Sequence, residues 1–496
     1  PDTRAPVRTR IAIQGGRPMN WSTDIMLALP EVILLASACA LLVIDTFSKD
    51  SGRNITYGLA QLILIVAASV AIYLYTGETS YAFGKTFVSD PMSTMLKVVV
   101  CIISLIVFLY SHEYLKKHEW MQGEYFVLGL FAVLGMMVMI SAYSLLTVYL
   151  GLELLSLSLY AMVAMRKESQ AASEAAMKYF VLGSMASGML LYGISILYGV
   201  TGTLELHQLS HMLVVQTEQN ILLVFGLVFI IVGIAFKLGA VPFHMWIPDV
   251  YQGAPTAVTL FISSAPKIAA FAMAIRLLVD GMQPLLIDWQ QMLVILAILS
   301  MAAGNIIAIS QTNLKRMLAY STIAHVGFLL LGILSGTEAG YAAAMFYVIT
   351  YALMSAGAFG VIILLSRKGF ESDNLNDMKG LSDKSPWFAF IMLILMFSMT
   401  GVPPFLGFWA KWFVLKEIVD MGYVWLAALA VVFAIIGAYY YLRIVKLMYF
   451  DKAENMTAIK ASRQMRLALS INGLALLVIG LMPGSLMALC LAALIK

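Results

Sequence analysis

Seven ionisable side chains stand inside otherwise apolar stretches: Glu153, Lys178, Lys237, His244, Lys267, His325 and Lys411. An ionisable group at bilayer depth is costly and marks function by default. One carboxylate among lysines and imidazoles suits a proton passed from group to group more than a hard cation, whose ligands are oxygens. A sodium site built from carbonyls alone stays open. Glu153 lies mid-stretch in TVYLGLELLSLSLYAMVA and needs a cation on a neighbouring helix, for which a lysine is the obvious choice. Lys267 lies about 13 residues into its segment, about 20 Å from the start at 1.5 Å per residue, too deep for its head to reach the surface. Taking about 3 pKa units from a buried ammonium corresponds to about 4 kcal/mol. Moving one charge through a membrane potential takes about 2.3 kcal/mol per 100 mV. The two are comparable, so switching one ion pair could drive one proton step. Plainer roles stand beside these. Lys178 has Glu174 one helical turn earlier and a surface within reach; His244 and His325 also suit core imidazoles satisfied by backbone or hydroxyl groups; buried lysines can hold helices together as inert scaffold.

The elements that position these groups follow from composition. Of 496 residues, 61% are hydrophobic and only 12% charged, about half the usual charged fraction of soluble domains. This is the composition of an all-α polytopic membrane protein. Cys39, Cys101 and Cys490 are isolated, with no CxxC or Cys/His cluster, which argues against an iron–sulfur or haem site. There is no dinucleotide fingerprint or P-loop, and no nucleic-acid partner is expected. A span needs about 20 apolar residues. Fourteen candidates read as 24–45, 54–76, 90–111, 122–141, 143–165, 174–200, 220–252, 254–279, 290–311, 315–335, 338–366, 387–420, 425–450 and 466–494. Lys and Arg gather after spans 1, 3, 5, 9, 11 and 13, whereas the other loops hold Lys85 and almost nothing else basic. The positive-inside rule then puts those basic loops in the cytoplasm and both termini outside. Residues 1–18, PDTRAPVRTRIAIQGGRP, lack an apolar signal-peptide core. They read as a non-native or disordered extension, with Met19 a candidate start.

Spans 7 and 12 share a pattern, GAVPFHMW at 239–246 and GVPPFLGFW at 401–409. Five spans apart, they lie in opposite orientations, which predicts two inverted five-helix repeats, spans 4–8 and 9–13, with spans 7 and 12 broken at their prolines. Such designs place discontinuous helices around a polar cavity. Two unrelated proline kinks are the simpler alternative. The chain then divides into 1–18; 19–121 with spans 1–3; 122–280, the first repeat; 281–450, the second; and 451–496, a cytoplasmic loop and span 14.

GLELLSLSLYAMVA at 151–164, EAAMKYFVLGSMASGMLLYGISILYG at 174–199, FKLGAVPFHMWIPDVYQGAPTAVTLFISSAPKIAAFA at 236–272 and LKRMLAYSTIAHVGFLLLG at 314–332 together resemble the antiporter-like N subunits of bacterial NADH-quinone oxidoreductase, respiratory complex I. The resemblance covers essentially everything from Met19 onward. The stretch Lys237–Pro255 is shared by all three antiporter-like subunit types and by cation/proton antiporters, whereas ELLSLSLY is more particular to the N type. The chain stops at Lys496 without the lateral helix of the L type, and it has Lys411 where the M type carries a glutamate. The resemblance implies a proton-translocating, non-redox subunit in the bacterial inner membrane, taking protons from the cytoplasm and releasing them to the periplasm. It implies that Glu153 and Lys237 are a coupled pair, Lys267 a central relay, His325 a bridge and Lys411 the exit-side group. Lys178 and His244 would tune or connect the first half, and GSMASG at 183–188 would pack helices. FMN, NADH, iron–sulfur clusters and quinone would bind other subunits, so no cofactor is expected in this chain. Its partners would be the M-type subunit on one side, the small K- and J-type subunits on the other, and lipid. A subunit of a free-standing cation/proton antiporter is the competing reading, and an organic-solute transporter a weaker one.

Overall fold

The computed structural model describes residues 21–47, 53–215, 221–453, 459 and 461–494; the expected 1–18 extension lies outside them. Among the described residues, thirteen helices are long and apolar enough to cross a membrane. Pro386–Thr400 and Leu406–Asp420, each too short alone, make a fourteenth crossing together. The chain is an all-α, multi-pass membrane protein. Spans 8, 10 and 11 form its centre, apolar all round and enclosed by other helices, while spans 1 and 2 turn most of their surface outward.

Span 3 is Pro91–Lys117, started by a capping box in which Asp90 accepts from Ser93. Span 4 is Gly123–Ile140, span 5 Leu145–Ala164 and span 6 Gln170–Thr201. Spans 9, 10, 11 and 13 are Leu286–Ile309, Leu314–Leu334, Glu338–Leu365 and Val424–Tyr449. The two proposed repeats share a device at the same place. A Cβ on Gly151 of span 5 would stand 2.7 Å from the Met139 nitrogen of span 4, and one on Gly304 of span 9 would stand 2.5 Å from the Ala324 nitrogen of span 10. In each repeat the first two helices therefore meet backbone to backbone. GSMASG divides between two uses: Gly183 abuts Tyr160, while Gly188 faces open space.

Spans 7 and 12 are broken, and alike. Span 7 is Ile221–Leu238 followed by Trp246–Gly253. Each first half ends at a glycine of positive φ, Gly239 (+86°) or Gly401 (+91°), and three residues later comes a proline after a cis bond, Pro242 or Pro404. The sequence reading treats span 8 as one helix over 254–279, and here the structure differs. It runs Thr256–Ser263, then Ala265–Ala274, then a π-helical turn Ile275–Gly281. Pro266 has no N–H to give the preceding turn; the Ser264 N–H turns to Phe261 O, and the Ser264 hydroxyl takes the Leu260 carbonyl in its place. Span 14 likewise parts at Met482, as Arg463–Leu481 and Pro483–Leu494. A short hairpin, Ser80–Ala82 with Phe87–Ser89, and the helix Leu206–Val215 fill two stretches read as plain loop.

Two buried ion clusters also escaped the sequence reading. Arg276, 2% exposed, makes a forked pair with Asp90 at 2.8 and 2.9 Å and reaches Asp280 at 2.9 Å, tying the end of span 8 to the start of span 3. Lys97 of span 3 meets Glu31 of span 1 (Leu29–Phe47) at 2.6 Å. Gly304→Leu should drive span 9 into the span 10 backbone at a cost of about 1–3 kcal/mol or more, whereas Gly188→Leu should be silent. Thermal unfolding of detergent-extracted protein checks this, with the first variant melting lower and the second unchanged.

Candidate functional site

The break in span 7 leaves carbonyls that a continuous helix would have used. Gly239 and Ala240 take up the Ala235 oxygen, and Trp246 Nε1 donates to Phe236 O at 3.0 Å. The Leu238 oxygen accepts from Lys267 Nζ at 2.7 Å. That ammonium also lies over the Trp246 ring, 5.4 Å from its centroid. Span 12 repeats the arrangement: Lys411 Nζ donates to Met399 O and Thr400 O at 3.1 and 2.8 Å and sits 5.2 Å over Phe328. Cations are favoured at helix C-termini, and both lysines stand on one.

Lys237, in the last turn of the first half of span 7, donates to the Ser156 hydroxyl at 2.9 Å. The expected Lys237–Glu153 contact is therefore indirect. Ser156 is one turn beyond Glu153 on span 5 and takes the lysine's hydrogen bond, while Glu153 acts on Lys237 through its charge. Glu153 Oε1 is buried without a hydrogen-bond partner. Lys237 in turn interacts electrostatically with Lys267.

His325 lies between the two halves, 4% exposed. Its Nδ1 meets Tyr347 Oη at 2.7 Å and its Nε2 meets Tyr441 Oη at 3.0 Å. A void of about 10 Å³ touches Lys267, His325, Tyr347 and Tyr351. A second of about 10 Å³ touches His325, Lys411, Asn305 and Tyr440. Each is about one water molecule in size. Glu153, Lys237, Lys267, His325 and Lys411 thus form a row linked by charge, hydroxyls and water-sized gaps, a geometry suited to relaying protons.

The other two candidates lie off this row. Lys178 bonds Glu174 at 2.8 Å and Asp249 at 2.7 Å, and Arg316 bonds Asp249 at 2.7 Å, all lining a recess of about 330 Å³. His244 is half-buried at the span 7 break, its Nδ1 without a hydrogen bond. Among the described residues, no three His, Cys, Asp or Glu side chains converge to hold a metal ion.

Beyond the row, at the ends of spans 3 and 5, a recess of about 660 Å³ is bordered by Tyr114, His118 and Arg166. Glu371, from the segment after span 11, contacts two of its lining side chains. It accepts from Tyr114 Oη at 2.7 Å and Thr256 Oγ1 at 2.8 Å, with Arg166 at 3.4 Å. Lys315, 3% exposed, bonds Ala254 O at 3.1 Å nearby. Sequence reading missed Ser156, Thr322, Tyr347, Tyr351 and Tyr441 because uncharged hydroxyls raise no alarm in an apolar run. The signal available was STIAH at 321–325, two hydroxyls within about one turn of a histidine already singled out.

Known proteins share this sequence pattern and fold. Residues 142–437 match a family model described as NADH:quinone oxidoreductase/Mrp antiporter, TM, and residues 76–126 match one described as NADH-Ubiquinone oxidoreductase (complex I), chain 5 N-terminus. NADH-quinone oxidoreductase subunit N of Thioalkalivibrio sulfidiphilus is 60% identical, over 95% of this chain and 98% of the relative. That of Herminiimonas arsenicoxydans is 56% identical, over 94% and 97%. Among solved structures, a chain of respiratory complex I from Thermus thermophilus matches with TM-score 0.81 and 31% identity, over 94% of this chain and all of that one. A chain of the Mrp complex from Dietzia shares the fold, with TM-score 0.81 and 21% identity over 95% and 97%.

Glu371 yields a pH test. Burial pushes its carboxyl up, but the Lys315 charge and the Tyr114 and Thr256 hydrogen bonds outweigh it and hold it below the ordinary glutamate value. A carboxyl depressed on folding contributes stability above its unfolded pKa and loses it as pH falls through the folded one. Thermal unfolding followed from pH 7 to pH 4 should show the parent losing stability below about 4.5, near the unfolded value. Glu371→Gln should melt lower at pH 7 and lose that acid-side dependence.

Proposed function

We propose a function from one premise: this chain belongs to the subunit N family of NADH-quinone oxidoreductases, the antiporter-like membrane subunits of complex I. As a member it is a non-soluble part of an enzyme complex. Within that complex, the reading we favour is proton translocation from cytoplasm to periplasm through Glu153, Lys237, Lys267, His325 and Lys411, driven by quinone reduction elsewhere. The observation that carries it is the paired construction of the two breaks, each with a lysine seated on the freed carbonyls of an interrupted helix. A void of about 10 Å³ lies between His325 and Lys267, and another between His325 and Lys411.

On this reading the face bearing Lys116, Arg166 and Lys315 is cytoplasmic, by the distribution of basic residues, and both termini are periplasmic in a bacterial inner membrane. Lys178 and its carboxylates then belong to the cytoplasmic rim, and His244 to the hinge of span 7. NADH, FMN, iron–sulfur clusters and quinone belong to other subunits. The M-type subunit and the small K- and J-type subunits are the proposed neighbours. What supports a neighbour at span 5 is Glu153 itself. It is half-buried between Leu150 and Leu157, 57% and 53% exposed, and a carboxylate so near lipid is costly; a protein surface covering that stripe would lower the cost.

Everted membrane vesicles carrying Lys237→Ala should keep a full-sized complex and NADH-dependent dye reduction on a native gel, while the pH gradient formed per NADH oxidised falls at least two-fold. Equal losses of assembly and pumping would mean an inert scaffold. Migration apart from any NADH-oxidising band would favour the free-standing antiporter.

A further inference from the structure

Three hydroxyls, those of Tyr251, Thr322 and Tyr351, stand on the side of His325 toward the basic face. We propose that Tyr251, Thr322 and Tyr351 form the proton-conducting link from the Glu371–Lys315 mouth to His325 and Lys267. The inference rests on the proton-translocating reading and specifies the uptake limb of that same site.

The inner end is fixed by contacts. Tyr351 Oη meets Thr322 Oγ1 at 2.6 Å. The Tyr351 ring lies 5.1 Å from that of His325, and Tyr351 borders the void shared by Lys267 and His325. Thr322 is one turn before His325 on span 10. The middle is Tyr251, fully enclosed and within reach of the Thr322 hydroxyl, with Tyr351 beside it. Ser355, one turn beyond Tyr351, stands within reach of the Tyr351 hydroxyl in turn. The outer end is Lys315, on span 10 two turns before Thr322, about 10 Å along the axis. Its ammonium holds the carbonyl of Ala254, three residues after Tyr251, and it interacts with Glu371 and Asp373 across the mouth, with Arg166 behind them. Lys315, Thr322 and His325 thus lie along one side of span 10, over about 15 Å of helix, with Tyr251 and Tyr351 against its middle.

The hydrogen bonds define how a proton crosses. Thr322 Oγ1 donates to Leu318 O at 2.9 Å, which leaves Tyr351 to donate to Thr322. An incoming proton forms an O–H bond at Thr322. Tyr351 turns its O–H away from Thr322 and gives that hydrogen up toward Lys267 across the void it borders, and the hydrogen Thr322 already held swings from the Leu318 carbonyl to Tyr351 Oη. One O–H bond forms and one breaks at each hydroxyl, so each ends neutral, as it began. The threonine must let go of a backbone carbonyl to conduct, which makes it the controlling station.

The test compares Thr322→Val, which keeps shape and loses the hydroxyl, with Thr322→Ser, which restores it. Both are assayed in everted vesicles for NADH-dependent dye reduction and for the pH gradient formed per NADH oxidised, beside Lys267→Ala. The proposal expects Val to lose at least half of the gradient per NADH with dye reduction intact, and Ser to stay near the parent. Tyr351→Phe, which keeps the ring, should match Val, and it decides the question if Val fails to assemble. Full pumping by Val or by Phe, with Lys267→Ala impaired, overturns the link and leaves the translocation reading standing. Full pumping by Lys267→Ala overturns both, because the link then has no destination.

Discussion

A lysine standing on the open carbonyl end of an interrupted helix is the interaction on which the rest of this structure depends. A helix stopped within a membrane exposes orphan carbonyls that lipid cannot satisfy, and a lysine at that depth needs acceptors. Each problem is the other's solution, at Leu238 with Lys267 and again at Met399 and Thr400 with Lys411. Without the break there would be no acceptor; without the lysine the carbonyls would be left bare. The enclosing helices follow from this need. Spans 8, 10 and 11 carry no polar outer face because they wall off the row, and backbone-close packing at Gly151 and Gly304 leaves little unplanned space around it.

The choice of partner separates two kinds of buried charge. Arg276 faces two carboxylates and Lys97 faces one; removing either side of such a pair strands a charge, at about 3–5 kcal/mol, so these charges stay put and hold spans 1, 3 and 8 together. Lys237, Lys267 and Lys411 touch a hydroxyl or carbonyls instead. A neutral acceptor receives a hydrogen bond from an amine as well as from an ammonium, so losing a proton breaks no contact ion pair. Under the translocation reading, that difference in contacts suits the row to exchanging protons and the clamps to staying fixed.

How much of this was legible beforehand depends on the kind of signal. Span number, the two broken helices and the five members of the row could be read because lysine, glutamate and proline are conspicuous in apolar runs. The third break, at Ser264, was equally visible in SSAPK, but the apolar residues on either side made one helix of it. Arg276 and Lys97 met the same criterion that picked out Lys267, but their role is decided by partners far along the chain. Their partners, Asp90 and Glu31, are 186 and 66 residues away in sequence, by the difference of their numbers. Ser156 and the tyrosines around His325 were illegible for a different reason: a hydroxyl becomes functional only through what it faces, and Tyr441 is brought to His325 by packing across 116 residues.

Under the translocation reading, the order of charges along the row has a consequence of its own. The single carboxylate, Glu153, stands at the outward-facing end, followed by three lysines and a histidine. Glu153 acts on Lys237, Lys237 on Lys267, and Lys411 on His325. Like charges disfavour one another in a low-dielectric interior, so a cation that gains its counter-charge at one position changes the cost of a proton at the next. A neighbour that drew Glu153 away would weaken the hold on the Lys237 proton, and loss of that charge would ease protonation of Lys267. The disturbance would travel by alternation of charge, through side chains already in place, and would need no shift of the helices that the carboxylate clamps hold fixed.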